Sequence, residues 1–491
     1  MRWLRQLNTY RLVTSIAILG VFAMAARITM DTDTWWHLRA GGWIWEHKEI
    51  LRTDPFSYTR FGEPWEYPGW LVEVPMYWIF RQFGPGGLNI WTALMVAIAF
   101  SFVWKTMHGG AFLRAFTLVL AASSSAVYWA ARPYLVTFVF GAIYLWALEE
   151  DRGREYQGRT RNLWLLPLLM LIWANSHGGF IVGFILLGVY LLNAVRVGFE
   201  GLKVVIRLDR AGFVRLVFTI ILCVLAVCIN PYGPVMLLYP FKTVSITVLK
   251  DYIQEWQSPN FHALNVQPFI ALLLTTFAAF GVSRRRVIFT DLALVSGFAY
   301  LGLMAGRNIA LFAIPAPMVI TRHIASITDA IGSRMKLSFA SKGIVPRGRA
   351  FLNASILVLL VLVTLIKVTI VYPGVVNEEA FRKGLPIDAV HFVRSTRPSG
   401  RMLSSYNWGG YLLWALPEYP VFVDGRTDLY NDQIIGEWLK AVRAEDGWQQ
   451  VLERWEIRLI LLEPATPLVS KLNSYGWQLL YQDEISVVYG K

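Results

Sequence analysis

The stretch Asp31-Thr32-Asp33-Thr34-Trp35-Trp36-His37-Leu38-Arg39 is the part of the chain best equipped for chemistry. Two carboxylates stand at the start of a helical pattern. His37 lies one helical turn beyond Asp33, on the same face, and Arg39 could pair with an acid. A carboxylate placed in this way could act as a general base on an acceptor, or as a ligand of a divalent cation such as Mg or Mn. The plainer alternative is that Asp33 only caps its helix, because anions are favoured at a helix N-terminus. Position argues for the functional reading: the acids directly follow an apolar run and lead into an aromatic-rich helix.

The chain that must position these groups has 491 residues, 55% of them apolar and 16% charged, with a mean hydropathy of +0.45. That excludes a disordered protein and argues against an ordinary soluble enzyme. A membrane-spanning helix needs about 20 mostly apolar residues. Eleven runs qualify: Leu12–Met30, Leu88–Trp104, Phe112–Ala131, Tyr134–Leu148, Leu163–Asn175, Phe180–Ala194, Phe213–Asn230, Val266–Val282, Val287–Ala305, Asn308–Ile320 and Phe351–Val371. Several are short or interrupted by proline. The first follows Arg2, Arg5 and Arg11 and reads as an uncleaved signal-anchor. The fold class expected is a polytopic α-helical membrane protein of about eleven spans, residues 1–372, with a C-terminal α/β domain outside the membrane, residues 373–491.

Charge orients this layout. With the N-terminus inside, the cytoplasmic segments carry 23 Lys and Arg, against 9 in the outer segments before residue 373. The positive-inside rule then places the C-terminal domain on the extracytoplasmic side of a plasma membrane. Arg27 and Lys367 sit near outer span ends and are expected to snorkel to the interface. The net charge of +13 therefore belongs to cytoplasmic loops and does not point to nucleic acid. No G-x-x-x-x-G-K-[ST] loop is present for nucleotide phosphates. Cys223 and Cys228 share one apolar run and read as packing residues.

Two outer segments stand out. Segment 30–87 holds seven of the 21 tryptophans. Its residues 33–47 fit an interfacial helix, Trp70–Phe83 fit a second, and Thr53-Asp54-Pro55 and Gly62-Glu63-Pro64 mark turns between them. Segment 373–491 has the composition of a soluble domain. Met402–Ser405, Val421–Val423, Leu459–Leu462, Gln478–Tyr481 and Ile485–Tyr489 read as strands, with helices at Ile434–Arg443, Trp448–Trp455 and Pro467–Ser474.

These features together resemble the GT-C superfamily of membrane glycosyltransferases. Asp33-Thr34-Trp35-Trp36-His37-Leu38-Arg39-Ala40 is similar to the D-P-W-F-N-Y-R-A run of oligosaccharyltransferase catalytic subunits. Tyr67-Pro68-Gly69-Trp70-Leu71 resembles their Y-P-G-L, and the P-P-L of the protein mannosyltransferase and aminoarabinose transferase branches. Tyr406-Asn407-Trp408-Gly409-Gly410-Tyr411 falls where oligosaccharyltransferases carry W-W-D-Y-G-Y, and Val421 to Thr427 resembles the strand and acid after it. The sequon-reading Asp of that motif is Asn407 or Trp408 here, so peptide sequon recognition is not implied.

The resemblance implies an inverting enzyme. It would move a sugar from a polyprenyl-phosphate or polyprenyl-diphosphate carrier to a glycan, lipid or protein acceptor on the outer face. Asp33 would then deprotonate or orient the acceptor, directly or through a divalent ion, with Asp31 assisting. Arg307 and Arg132, at outer span ends, would clamp the carrier phosphate; ordinary snorkelling is the alternative for both. His37, Trp35, Trp36, Trp70, His177 and Asp424 would line the substrate path. His177, in the tight Asn175-Ser176-His177-Gly178-Gly179 turn, reads more readily as a turn residue hydrogen-bonded to backbone, and turn chemistry explains Asp424-Gly425 equally well. Asp251, Glu255 and His262 offer acids and an imidazole that could complete a metal site with Asp33. A non-catalytic scaffold or a transporter of lipid-linked or small substrates is the alternative class.

Overall fold

The computed structural model describes residues 4–153, 162–200, 203–334 and 343–491. Helices α1 (Thr9–Ala25), α2 (Thr34–His47) and α3 (Trp70–Thr106) begin a largely helical chain. Each of the eleven apolar runs falls on a helix or on a helix joined to a short turn. Among the described residues, five helices are long and apolar enough to cross a membrane, and the bent pair Gly306–Phe312 and Ala316–Thr328, counted as one span, makes a sixth. Shorter apolar helices include Thr9–Ala25, Leu165–Ala174, Gly178–Ala194 and Phe289–Met304. Large apolar side chains on Arg347–Val371 face outward, among them Phe351, Val363, Ile366 and Ile370. Such a surface suits lipid and not water. The chain is a multi-pass membrane protein.

Both interfacial elements of the first outer segment form. The N-terminal one is α2, ended by Lys48 in a left-handed conformation. The other, Trp70–Phe83, is the first part of α3; it ends where Gly84 leaves helical geometry (φ 62°, ψ −163°), and a second helical piece, starting at Pro85, carries the following apolar run. Helices α2 and α3 meet at Gly41, where a Cβ would lie 2.2 Å from the Glu73 carbonyl oxygen. The turns between them form as the sequence suggests. Asp54 accepts from the Phe56 and Ser57 amides at 3.0 and 3.1 Å, and Thr53 pairs with Pro64.

The C-terminal region holds a four-stranded sheet. Arg401–Ser404 pairs parallel with Ile457–Leu462, which pairs antiparallel with Val487–Gly490, and Gln478–Gln482 closes the edge. The expected strand Val421–Val423 is not part of it. This buried run is instead held by the first outer segment. Val421 donates to Phe56 at 3.3 Å and accepts from Tyr58 at 3.2 Å, and Thr59 Oγ1 donates to the Phe422 carbonyl at 2.6 Å. An apolar run marks burial, and three residues do not say against what. The Tyr406–Ala415 helix carries the motif glycines. A Cβ at Gly410 would lie 2.6 Å from the Thr32 carbonyl oxygen, so this helix packs directly on the entrance to α2.

Other charges find partners inside the helical body. Arg27 donates to the Ala126 carbonyl and Lys367 to that of Ala23, so both brace neighbouring helices where snorkelling was expected. Arg322 joins Glu149 and Asp291, and His323 bridges Asp291 and Ser283. Cys223 and Cys228 are free thiols, Cys223 fully buried.

Candidate active site

Four separate segments bring ionised groups to one place. The start of α2 supplies Asp31 and Asp33. The turn before the Tyr134–Gly153 helix supplies Arg132. The short 3-10 turn Gln254–Trp256 supplies Glu255, and the turn Gly306–Asn308 supplies Arg307. The last two segments are tied together, since the Gly306 amide donates to the Gln257 carbonyl at 2.9 Å.

Arg132 is the hub. One terminal nitrogen pairs with Asp33; the other lies 3.0 Å from Glu255 Oε2 and 3.4 Å from Asp31 Oδ2. Glu255 passes the contact on, its Oε1 lying 3.2 Å from an Arg307 nitrogen. Arg307 also stacks over the Trp256 ring at 4.3 Å. The result is a chain of alternating charge, Asp31 and Asp33 to Arg132 to Glu255 to Arg307.

The two aspartates have different tasks. Asp31 does the capping: its Oδ1 accepts from the Asp33 and Thr34 amides, each at 3.0 Å. Asp33 makes no capping bond with its own side chain. Its carboxylate points into the charged chain and against the C-terminal region, where an added Cβ on Gly425 would stand 2.0 Å from Asp33 Oδ1. The sequence alternatives thus separate by two residues: Asp31 does the capping, and Asp33 turns its carboxylate to Arg132.

Electrostatics separate the acids further. Burial lifts the Asp33 carboxyl to about 7, against Arg132 and with help from Asp31 and Glu255. Burial also opposes ionisation of Glu255, but Arg132 and Arg307 win and hold it at about 2. Glu255 is therefore the permanent anion, and Asp33 can exchange a proton near neutrality. His177 is driven down to about 3 by burial and by Arg307 and Arg132. It stays neutral, bonded through Nδ1 to Thr137 Oγ1 at 2.7 Å and to the Gly179 amide at 3.0 Å.

The remaining candidates are set outside this line. His37 turns to the other side of α2, with Nδ1 2.7 Å from Glu73 Oε1 and 3.4 Å from the Tyr67 hydroxyl. Burial, then Arg132, pushes its imidazole well below the usual range, so it is neutral. Arg39 stacks over Phe56 and finds no acid among the described residues. Trp35 packs among Phe80, Phe381, Tyr411 and Trp414, and Trp70 spends its N–H on Asn175 Oδ1 at 3.0 Å. Trp35 is buried by these rings, whereas Trp70 is half-buried. Trp36 is buried beside Asp33 and Gly425.

Asp424 is the clearest correction. It forms no open edge: Arg426 grips both its oxygens, at 2.7 to 3.1 Å, and also reaches Asp54 at 2.6 Å, all three fully buried. Asp251 and His262 stay exposed, so only Glu255 of that loop joins Asp33. Glu73 was missed, although a lone acid in the apolar run Trp70–Phe83 signals a buried partner. Gly425 and Tyr406 were missed as neighbours of Asp33 because their approach depends on how the C-terminal region docks.

The donor set does not fit a divalent cation as arranged. Asp31, Asp33 and Glu255 converge, but they converge on a guanidinium. Among the described residues, no group of three or more His, Cys, Asp or Glu side chains is disposed to hold a metal ion.

The fold has solved counterparts at low sequence identity. One is the archaeal oligosaccharyltransferase AglB from Archaeoglobus fulgidus in complex with an inhibitory peptide and a dolichol-phosphate. It matches with a TM-score of 0.60 and 12% identity, over 93% of this chain and 70% of that one. A second is the Archaeoglobus fulgidus oligosaccharyltransferase tethered with an acceptor peptide containing the NVT sequon via a disulfide bond, with a TM-score of 0.57 and 13% identity, over 93% and 69%. Its apo form gives 0.52 and 11%, over 91% and 69%. No protein-family model matches the chain, and no curated protein matches it in sequence. At these identities the likeness is one of fold: the chain shares the fold of the archaeal oligosaccharyltransferase structures.

Proposed function

We propose that this protein is a membrane glycosyltransferase that moves a sugar from a polyprenyl-phosphate or polyprenyl-diphosphate carrier to an acceptor on the outer face. The observation that carries the reading is the line from Asp33 through Arg132 and Glu255 to Arg307. A base able to exchange a proton near neutrality stands at one end, and a partly exposed guanidinium at the other. Transfer of a glycosyl group needs both. A base takes the acceptor hydroxyl proton as the new C1–O bond forms. A cation receives the charge left on phosphate as the old C1–O bond breaks.

In this reading Asp33 is the base, and a single displacement inverts the anomeric centre. Arg307 binds the departing phosphate. It spends a nitrogen on Glu255 and leans on Trp256, so its guanidinium is aimed without being saturated. The neutral His177 beside it offers a polar, uncharged wall. Dolichol-phosphate and peptide in the AglB complex support a lipid carrier and an outer acceptor in general terms. The acceptor class stays open to glycan, lipid or protein. The eleven helical runs and the basic loops support eleven crossings of a plasma membrane, with a cytoplasmic N-terminus and an extracytoplasmic C-terminal domain.

The test is direct. Purified protein in nanodiscs is given a panel of radiolabelled polyprenyl-phosphate and polyprenyl-diphosphate sugars, with acceptors extracted from the host envelope. Label leaving the lipid phase for an acceptor supports the reading. Uptake into sealed liposomes without any transfer would make it a transporter.

A further inference from the structure

We propose that Arg132 is a resident cation: its guanidinium takes the place among Asp31, Asp33 and Glu255 that a divalent ion would need, and the site therefore works without one. This rests on the glycosyltransferase reading only for its functional consequence. The geometry stands by itself.

Three carboxylates from two distant segments reach one guanidinium, and among the described residues none reaches a second Arg or Lys except Glu255, which also meets Arg307. A guanidinium presents a planar set of donors suited to several carboxylate oxygens at once, and it keeps its charge at any pH of interest. A hard dication seeks several oxygens around one point, and carboxylates are its usual protein donors. Here that point is filled by a side chain anchored on the backbone. The Arg132 amide donates to the Ala130 carbonyl at 2.8 Å, which fixes the turn that aims it. A metal ion entering would have to break three ion pairs. It would then face two like charges, Arg132 and Arg307, within a partly buried site where charges are poorly screened.

The two arginines consequently divide the work. Arg132 is a positioning residue. It holds Asp33 toward the acceptor side and ties that side to Glu255, and its donors are consumed by carboxylates. Arg307 has one carboxylate partner and is the one able to receive a phosphate. The three acids without Arg132 would form an oxygen cluster with no cation at its centre, attractive to a dication.

Mn2+ binding to purified protein, followed by electron paramagnetic resonance, tests this without any sugar donor. Wild type should bind no Mn2+ tightly. Arg132→Met should gain one site at least tenfold tighter than any wild-type binding, and Arg132→Met with Glu255→Gln should lose it. Arg132→Lys, which keeps a charge at the same place, should stay closed to Mn2+. Tight Mn2+ binding by wild type overturns the proposal, and so does a folded Arg132→Met protein that binds none. Transfer by wild type should also survive prolonged EDTA treatment. Loss of transfer in EDTA, restored by Mn2+, overturns this inference while leaving the glycosyltransferase reading intact. Absence of transfer with every donor removes that reading and leaves the Mn2+ result standing.

Discussion

Replacing Gly425 by alanine tests how closely the C-terminal region builds the environment of Asp33. An added Cβ there would stand 2.0 Å from Asp33 Oδ1 and 2.9 Å from Trp36 Nε1. Gly425 is not among the glycines with positive φ, so its backbone admits alanine and the effect is steric alone. Ordinary contact begins near 3.4 Å, so about 1.4 Å must be found. The Trp36 ring is buried and cannot yield, which leaves the Asp33 carboxylate or the docked loop to move. Overpacking of this kind costs about 1–3 kcal/mol of stability. Displacing a reacting group by about 1 Å costs about 100-fold in rate. The expectation is a transfer rate about 100-fold lower in a protein that still folds, measured by single-turnover label transfer alongside thermal unfolding. Gly436→Ala, where the Cβ meets open space, should leave both unchanged. Full activity in Gly425→Ala would refute the idea that the C-terminal region positions Asp33.

The pH profile should follow Asp33. Its carboxyl is raised to about 7 and must be ionised to accept a proton, so transfer should rise with pH through about 7 and fall tenfold per unit below it. The same raised value means that the folded state holds this proton more tightly than the unfolded chain. Any stability it contributes is present at acid pH and lost as pH rises through about 7. Arg307→Ala should lower kcat by about 100- to 1,000-fold with little change in melting temperature, and lysine should restore it only in part. Asp424→Asn should act on stability and not on chemistry. It leaves buried Arg426 under-compensated, at a cost of about 3–5 kcal/mol, visible as a lowered melting temperature.

Much of the layout was legible because it depends on local pattern. Apolar length marks a helix whatever it packs on, and all eleven runs fall on helices. Position beside the first run drew attention to Asp31 and Asp33, and the structure joins them through Arg132 and Glu255 to Arg307. The joining of Glu255 to Asp33 was foreseen only as one option, since nothing local says which acid of a loop turns inward. Asp424 and Trp35 misled for the same reason. A strand-edge acid and a tryptophan of an interfacial helix read as ligands until their partners, Arg426 and a four-ring cluster, arrive from elsewhere in the chain. Val421–Val423 was apolar enough for a strand, but its hydrogen bonds go to residues some 365 positions earlier. The guanidinium at the centre of the acids is likewise a long-range fact. Residues 31, 132 and 255 carry no shared spacing that could announce it.

In the proposed reaction Asp33 performs base catalysis in sugar transfer from a polyprenyl-linked donor. Single-turnover transfer of labelled sugar by wild type and by Asp33→Asn, at pH 8 with donor saturating, tests it most directly. Asparagine keeps the shape and removes the base. Donor binding should persist in Asp33→Asn while the transfer step slows by about 100-fold or more. Transfer at the wild-type rate in a folded Asp33→Asn protein would contradict it.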